Sequence, residues 1–216
     1  MVLPLFPLDV VAFPGMTVPL YVFEARYRRL VRWLLENEPK RFVLVLGKPQ
    51  AVDGPAAPMH GVGTVMDVVR VEERDDGTYE LIAHAQERVA VEPSEQEDVP
   101  EPDGSTRPLF FAPYTPLPLE RGDPNEERVA AWDALEAFRR YAGIVFAFDA
   151  QGQIDANLPE DPLYQASLVC ANLRVPSPSR QVLLEAPSLI ARFRLAQKLI
   201  DERLAAHAPV SDDDDA

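Results

Sequence analysis

The sequence predicts an α+β protein in which a β-rich lobe is followed by a small helical bundle. Residues 1 to about 118 contain short runs rich in Val, Thr and Phe that Pro and Gly separate, which is typical of short strands joined by turns. Residues from about 124 onward are rich in Ala, Leu, Arg and Glu at helical spacing. We therefore expect a small curled sheet or barrel with one helix over residues 1–118, a helical lobe over 119–208 and a disordered acidic tail over 209–216.

The charge balance and the cysteine count narrow the class of protein. The 216 residues include 35 Asp and Glu against 21 Lys and Arg, which gives a net charge of −14. Because nucleic-acid affinity depends largely on Lys and Arg that displace counterions, this balance disfavours general nucleic-acid binding. Cys170 is the single cysteine, which rules out an intramolecular disulfide and fits a reducing compartment. No secretion signal or membrane-spanning run is visible, so we expect a cytoplasmic protein.

Turn residues divide the first lobe into strands. The stretch Asp75–Thr78 contains the Asp-Gly pair that suits a tight hairpin turn. The predicted strands are Thr17–Phe23, Phe42–Leu46, Gly61–Val71, Tyr79–Ala85 and Arg88–Val91. The stretch Glu92–Gly104 has six acids and no base, so it is expected to be a mobile loop.

One helix interrupts these strands between Glu24 and Asn37. Its apolar residues recur at i, i+3, i+4, i+7 and i+8, which predicts a single buried stripe formed by Tyr27, Leu30, Val31, Leu34 and Leu35. Four arginines fall mainly outside the stripe: Arg26, Arg28, Arg29 and Arg32. They form either a solvated helix face paired with nearby acids or a docking patch for acidic protein or RNA.

Four helices are predicted in the second lobe. The first runs from Asn125 to about Phe148, with one apolar face comprising Val129, Trp132, Leu135, Phe138, Ala142 and Val145. The second begins at Pro162 after an Asp161 cap, and the third is short, from Ser177 to Glu185. The last begins at Pro187, and its inward stripe is Leu189, Phe193, Ala196, Ile200 and Leu204.

No constellation of catalytic or metal-binding residues is visible. The phosphate-binding pattern G-x-x-x-x-G-K-[ST] and the nucleophile elbow G-x-S-x-G are both absent, and Gly61-Val-Gly63 is interpreted as close backbone packing or a bulge. The three histidines, His60, His84 and His207, have no recurring neighbours at zinc-ligand spacing. Cys170 is interpreted as a buried structural thiol. We therefore expect no catalytic residue, no metal and no cofactor.

Two opening segments carry a resemblance to a known family. Pro4-Leu-Phe-Pro-Leu-Asp-Val-Val-Ala-Phe-Pro-Gly15 and Pro19-Leu-Tyr-Val-Phe-Glu-Ala-Arg-Tyr27 closely resemble the start of the N-terminal, substrate-binding domain of Lon protease. Later segments agree with it, namely Gly61–Val65, Asp76–Leu81, Glu87–Val91, Arg180–Glu185 and Phe193–Leu204. The chain departs from the family at Ala85, where a glycine is usual three residues before the matched arginine.

The resemblance implies a PUA-like β lobe with a helical lobe that together recognise unfolded or damaged protein segments. Because no phosphate loop or protease segment precedes Ala216, we expect a free-standing Lon-domain protein without ATPase or protease domains. Most matched residues are expected to build the fold and not to contact ligand: Phe6, Pro14, Gly15, Phe23 and Tyr27.

The leading hypothesis is a non-enzymatic module that binds unfolded or client polypeptides. A separate protease or chaperone would be a further partner, and the protein would be a monomer or a weak homodimer. Candidate protein-binding residues are Tyr21, Arg26, Arg88, Phe110 and Phe111. The alternatives are an RNA-binding PUA-like module, which the arginine cluster favours and the net charge opposes, and a hydrolase of unrecognised type.

Overall fold

A computed structural model describes residues 1–47, 59–92, 95–100, 104–146 and 150–207. The tail predicted over 209–216 lies outside these residues. Packing divides the chain into two compact units. Unit 1 comprises Met1–Pro118 and Val175–Glu185, and unit 2 comprises Leu119–Arg174 and Ala186–Ala216. This division places the short helix that ends at Glu185 with the β-rich unit, whereas the sequence pattern groups it with the other helices.

Unit 1 is built on a curled sheet, so the predicted α+β class is confirmed. Its strands are β1 (Val2–Leu8), β2 (Thr17–Val22), β3 (Arg41–Gly47), β4 (Met59–Glu73), β5 (Tyr79–Val91), β6 (Glu95–Pro100) and β7 (Thr106–Pro116). They are ordered β2-β5-β4-β3-β1-β7-β6, with β1 and β3 parallel and the other pairs antiparallel. A further pairing of β5 with β7 closes the central strands into a ring. Strands β2 and β6 therefore lie outside this ring, each with one partner among the described strands.

Helix α1 (Ala25–Glu36) packs on the sheet through the predicted stripe. Its buried side chains are Tyr27, Leu30, Val31 and Leu34, which join Phe6 and Phe42 in the main core of unit 1. The Tyr27 hydroxyl donates to the Pro7 carbonyl oxygen. Leu35, the fifth member of the predicted stripe, is instead 43% exposed.

The predicted hairpin turn is confirmed between β4 and β5. Asp76 accepts hydrogen bonds at Oδ1 from the Thr78 backbone N–H (3.0 Å) and hydroxyl (2.6 Å). Gly77 adopts a φ of 73°, a left-handed conformation that a residue without Cβ reaches at little cost. These hydrogen bonds hold the carboxylate in its charged form and lower the pKa of Asp76.

Gly63 in β4 confirms the expected close backbone packing. An added Cβ would lie 2.6 Å from the Leu44 carbonyl oxygen and 2.7 Å from Val45 Cγ1. Only glycine therefore allows β3 and β4 to approach at this point.

The acidic stretch predicted as a mobile loop contains a strand instead, so this prediction was wrong for its described part. Residues 95–100 form β6, which pairs antiparallel with β7, while residues 93, 94 and 101–103 lie outside the described residues. The reason is tertiary: Val99 is only 7% exposed in the main core, and β7 supplies a full set of backbone partners. Charged residues are common on such edge strands, where they discourage pairing with another chain.

Unit 2 contains α2 (Pro124–Val145), α3 (Ala150–Ala156), α4 (Pro162–Asn172) and α6 (Leu189–His207). Asp123 caps α2, and Asp161 caps α4 as predicted, with its Oδ1 accepting from the Leu163 backbone N–H at 2.8 Å. Helix α3 was not predicted. No helix among the described residues is long and apolar enough to cross a bilayer.

The buried face of α2 differs from the predicted one. Val129 and Trp132 are 60% and 64% exposed, so placing them on the inward face was wrong. Small residues line that face instead, with the larger Leu135, Phe138 and Tyr141 among them. Alanines allow α2 to approach its neighbours closely. The buried face of α2 is therefore the alanine-rich one and not the one with the largest apolar side chains. The predicted stripe on α6 is confirmed at the four positions Leu189, Phe193, Ala196 and Ile200, all fully buried.

Helix α5 (Ser177–Glu185) belongs to unit 1, where polar contacts fix it to the sheet and its loops. Gln181 Nε2 donates to the Val62 carbonyl oxygen at 3.0 Å, and the Ser177 hydroxyl donates to the Asp9 carbonyl oxygen at 3.1 Å. His60 Nδ1 lies 3.2 Å from Glu185 Oε1. The segment Arg180–Glu185, which the resemblance singles out, is therefore a docking helix for the sheet.

Candidate functional site

The described residues contain neither a metal-binding cluster nor an activated thiol. No group of three or more His, Cys, Asp and Glu in these parts of the chain could hold a metal ion. Cys170 is fully buried on α4, and burial raises the pKa of its thiol to about 12. A thiol with such a pKa is protonated at neutral pH and is a poor nucleophile.

A groove crosses β2, β5 and β4 on the exposed face of the sheet. It has a volume of about 350 Å³ and is lined by Pro19, Leu20, Tyr21, Arg70, Glu72, Glu80, Leu81 and Ile82. Strand register explains this grouping. Pro19, Ile82 and Arg70 form one row across the three strands, and Tyr21, Glu80 and Glu72 form the next. At the small end of the ~300–1,000 Å³ range of ligand pockets, the groove has room for one or two side chains.

Two exposed aromatic rings extend this groove at the end of β2. Tyr21 is 55% exposed and Phe23 is 60% exposed, and their ring centroids lie 6.0 Å apart. Tyr21 lies in β2, and Phe23 follows the last strand residue, Val22. Phe23 was expected to be a core or turn residue; its exposure shows that it is not a core residue, and it lies in the connection between β2 and α1. Adjacent exposed aromatic rings can bury large apolar areas on binding.

Two arginine–glutamate pairs flank the aromatic rings and the groove. Arg70 Nη2 lies 3.0 Å from Glu72 Oε2, and Arg74 pairs with Glu80. The hydrogen bond to Glu80 raises the pKa of Arg74, whose Cζ lies 5.7 Å from the Tyr21 ring centroid. Each positive charge is balanced by a neighbouring carboxylate, so the surface favours apolar ligands over charged ones. We call Pro19, Tyr21, Phe23 and Ile82, with these two pairs, the β2 surface.

The five predicted binding residues lie in different environments. Tyr21 belongs to the β2 surface. The exposed Arg26 pairs with Glu24 at 2.8 Å. Phe110 is half-buried against a second core cluster of unit 1, while Phe111 is 5% exposed and packs edge-on against Trp33. The structure brings only Tyr21 to the groove.

Arg88 is an interior residue of unit 1, 6% exposed. Its guanidinium donates to three carbonyl oxygens, those of Leu117 (2.6 Å), Pro118 (3.0 Å) and Leu184 (2.8 Å). Burial lowers its pKa. These contacts give Arg88 a clear structural role, and its binding role stays an untested prediction, as do those of the other four residues.

The arginine cluster on α1 also makes structural contacts. Arg29 Nη1 donates to the Pro108 carbonyl oxygen at 2.9 Å, and Arg28 Nη1 lies 3.4 Å from the Gly77 carbonyl oxygen. These two side chains therefore connect α1 to β7 and to the hairpin turn. Sequence reasoning missed Ile82 and Arg74 as surface residues. Ile82 reaches this surface through the pairing of β2 with β5, and the proximity of Arg74 to the Tyr21 ring arises only in the folded sheet.

The described residues thus combine a curled sheet with a short docking helix, a helical unit and an exposed apolar surface. The chain belongs to the family described as the ATP-dependent protease La (LON) substrate-binding domain, which matches residues 2–202. The predicted resemblance is therefore confirmed.

Curated relatives and solved structures agree with this membership. The chain is 28% identical over 194 residues to the Lon protease of Azospirillum brasilense, covering 88% of this chain and 22% of that protein. It is 32% identical over 187 residues to Lon protease 2 of Syntrophobacter fumaroxidans, covering 83% of this chain and 21% of that protein. The chain thus spans about a fifth of the length of these relatives.

Two solved structures share the fold. The N-terminal domain of Mycobacterium avium complex Lon protease aligns with a TM-score of 0.69 and 15% identity, covering 94% of this chain and 99% of that one. A Lon N-terminal domain protein from Xanthomonas campestris aligns with a TM-score of 0.57 and 22% identity, covering 97% and 99%.

Proposed function

We propose that this protein is a non-enzymatic recognition module that binds unfolded segments of client proteins at the β2 surface. The exposed pair Tyr21 and Phe23 carries this proposal, because a folded client hides its apolar side chains whereas an unfolded one offers them to such rings. Membership of a substrate-binding family supports the same role.

The geometry favours weak and broadly selective binding. The groove is small and the nearby charges are balanced. Ordering a flexible ligand also costs about 2–5 kcal/mol, because the ligand loses conformational entropy. Such a module suits transient capture of client segments. We propose that it acts in the cytoplasm as a monomer or weak homodimer and passes clients to a separate protease or chaperone.

Fluorescence anisotropy with one labelled protein in two forms tests the proposal. The protein is used native, and again after reduction and alkylation have unfolded it. We expect binding of the unfolded form only, with a dissociation constant in the micromolar range. Absence of binding to the unfolded form at high micromolar concentration would overturn the proposal.

A matched pair of variants locates the surface. The double substitution Tyr21→Ala with Phe23→Ala removes two exposed rings from unit 1, and we expect it to weaken binding about tenfold, which corresponds to about 1.4 kcal/mol. Trp132→Ala removes a ring that is 64% exposed on α2 in unit 2, so it controls for the loss of any exposed aromatic residue. Equal loss of binding in both variants would contradict the assignment to the β2 surface.

RNA binding stays an untested prediction. Two of the four arginines that motivated it donate to backbone carbonyls of unit 1, and the net charge is −14. A salt series distinguishes the two functions, since phosphate contacts make log K fall with log salt by about 0.7 per contact on single strands.

A further inference from the structure

Strand β2 has one free backbone edge. It pairs with β5 along its whole length, from Thr17 opposite His84 to Val22 opposite Tyr79. No backbone hydrogen bond joins its other edge to any part of the chain that the structure describes. Such an edge offers N–H and C=O groups to another extended chain.

Hydrogen bonds next to β2 show which of its residues direct their backbone N–H and C=O groups toward β5 (the inward positions) and which direct them to the free edge (the outward positions). Just before the strand, the Gly15 N–H donates to the Ala85 carbonyl oxygen and the Ala85 N–H donates to the Met16 carbonyl oxygen, both at 2.8 Å. Ala85 therefore directs its backbone groups toward β2. In an antiparallel pair the inward positions alternate, so Ala83 and its partner Val18 also bond to each other.

The outward positions of β2 are consequently Thr17, Pro19 and Tyr21. Proline at the middle position agrees with this assignment, because it has no N–H to donate and is tolerated where the N–H would point away from the sheet. The outer edge thus presents carbonyl oxygens at all three residues and N–H groups at Thr17 and Tyr21. Tyr21 is also where the exposed rings lie.

We infer that the β2 edge binds client segments as an added antiparallel or parallel strand. This inference rests on the function proposed above and specifies its ligand: an extended, proline-free segment with apolar side chains at alternate positions. Backbone hydrogen bonds to Tyr21 and to the Pro19 carbonyl align the segment, and its alternate side chains lie against Tyr21 and Phe23. The missing donor at Pro19 keeps this ladder short, which suits release as well as capture.

Two substitutions at one position separate the backbone from the ring. Tyr21→Ala removes the ring and keeps the N–H, whereas Tyr21→Pro removes both. We expect Tyr21→Pro to bind an unfolded client about tenfold more weakly than Tyr21→Ala, because a carbonyl of the client is left without its donor. The backbone N–H of residue 21, like the missing one of Pro19, points to the free edge and has no partner in the described part of the sheet. We therefore expect both variants to retain the wild-type circular dichroism spectrum. Equal affinity of the two variants would overturn strand addition.

A pair of peptides tests the same point without altering the protein. Both have one sequence that alternates Leu and Thr, and one of them is N-methylated on the backbone at two pairs of consecutive residues, so that both edges of the extended peptide lose donors. We expect wild-type protein to bind the methylated peptide at least about tenfold more weakly. Equal binding of the two peptides would overturn strand addition and leave the proposed function standing, whereas binding of neither peptide nor unfolded protein would overturn the function itself.

Self-association provides the remaining arm of the test. If sedimentation velocity shows a dimer that Tyr21→Pro abolishes, and wild-type protein binds no peptide, the occupant of the edge is a second copy of this chain and the client assignment is wrong. A wild-type protein that binds the unmethylated peptide and stays monomeric at the same concentration supports the client assignment.

Discussion

Arg88 and Leu184 are 96 residues apart in the chain, and the Arg88 Nη1 atom donates a 2.8 Å hydrogen bond to the Leu184 carbonyl oxygen. The same guanidinium donates to the carbonyl oxygens of Leu117 and Pro118. The chain leaves unit 1 after Pro118 and again after Glu185. One buried side chain therefore holds both segments that lead out of unit 1.

Arg88→Ala tests this structural role. The change leaves three carbonyl oxygens without their charged donor, so we expect the free energy of unfolding of unit 1 to fall by about 2–4 kcal/mol. Urea unfolding measures the change. Arg88→Lys should recover only part of it, because one ammonium group cannot reproduce the planar fork of a guanidinium.

Arg70→Ala is the control for Arg88, since it removes an arginine from an exposed ion pair and should alter stability by less than about 1 kcal/mol. Wild-type stability of Arg88→Ala combined with loss of peptide binding would instead support the contact role that the sequence predicted for Arg88.

Gly63→Ala is expected to destabilise the contact between β3 and β4. The new Cβ would lie 2.6 Å from the Leu44 carbonyl oxygen, so the strands must separate, at a cost of about 1–3 kcal/mol. Gly61→Ala on the same strand is the matched control, since its Cβ would be 3.9 Å from the nearest atom, the Val91 carbonyl oxygen. Thermal unfolding of both variants tests the prediction, and equal midpoints would contradict it.

The hydrogen bonds of Glu127 predict that the stability of unit 2 falls in acid. Its buried carboxylate accepts hydrogen bonds from Arg121 Nε (2.9 Å and 3.1 Å) and Nη2 (2.7 Å), and one from the Gly122 N–H. The Arg121 hydrogen bond lowers the pKa of Glu127. The folded pKa is below the unfolded value of about 4.3, so this stabilisation is complete above the unfolded value and is lost as pH falls through the folded pKa.

Thermal unfolding between neutral and acidic pH measures this effect. Glu127→Gln should lower the midpoint at neutral pH and reduce its fall below about pH 4.3, the unfolded value for glutamate. Glu126→Gln removes a neighbouring exposed carboxylate from the first turn of α2 and is the matched control for the loss of one negative charge. Parallel curves for wild type and Glu127→Gln would show that Glu127 contributes no pH-dependent stability.

Cys170 is expected to be unreactive until unit 2 unfolds. Burial raises the pKa of its thiol to about 12, so the thiolate that attacks disulfide reagents is scarce at pH near 8 and is also shielded. A chromogenic thiol reagent should detect no thiol in native protein and one in urea, since the chain has a single cysteine. Rapid labelling of native protein would contradict the buried position.

Local patterns predicted those parts of the fold that short-range chemistry determines. Asp76 and Gly77 specify their hairpin turn through a side-chain cap and a left-handed φ, and both features are encoded within four residues. The stripe on α1 follows helical spacing and was mostly right. Strand β6 was missed because only pairing with β7 and burial of Val99 stabilise it.

The candidate site was less predictable than the fold. Tyr21 was predicted as a binding residue, but its grouping with Ile82 and Arg70 depends on the register of three strands. From residue type alone, Arg88 cannot be distinguished from an arginine that binds a ligand. Its burial follows from the path of the chain near Leu184, which no local pattern encodes.

The chain order of α5 has a consequence for synthesis. This helix completes unit 1, yet it follows 119–174, which belong to unit 2. When only the strands have been synthesised, the Val62 carbonyl oxygen does not yet have the hydrogen bond that Gln181 donates in the folded protein. The strands of unit 1 emerge first, yet unit 1 cannot close until residues 119–174, most of unit 2, have also been translated.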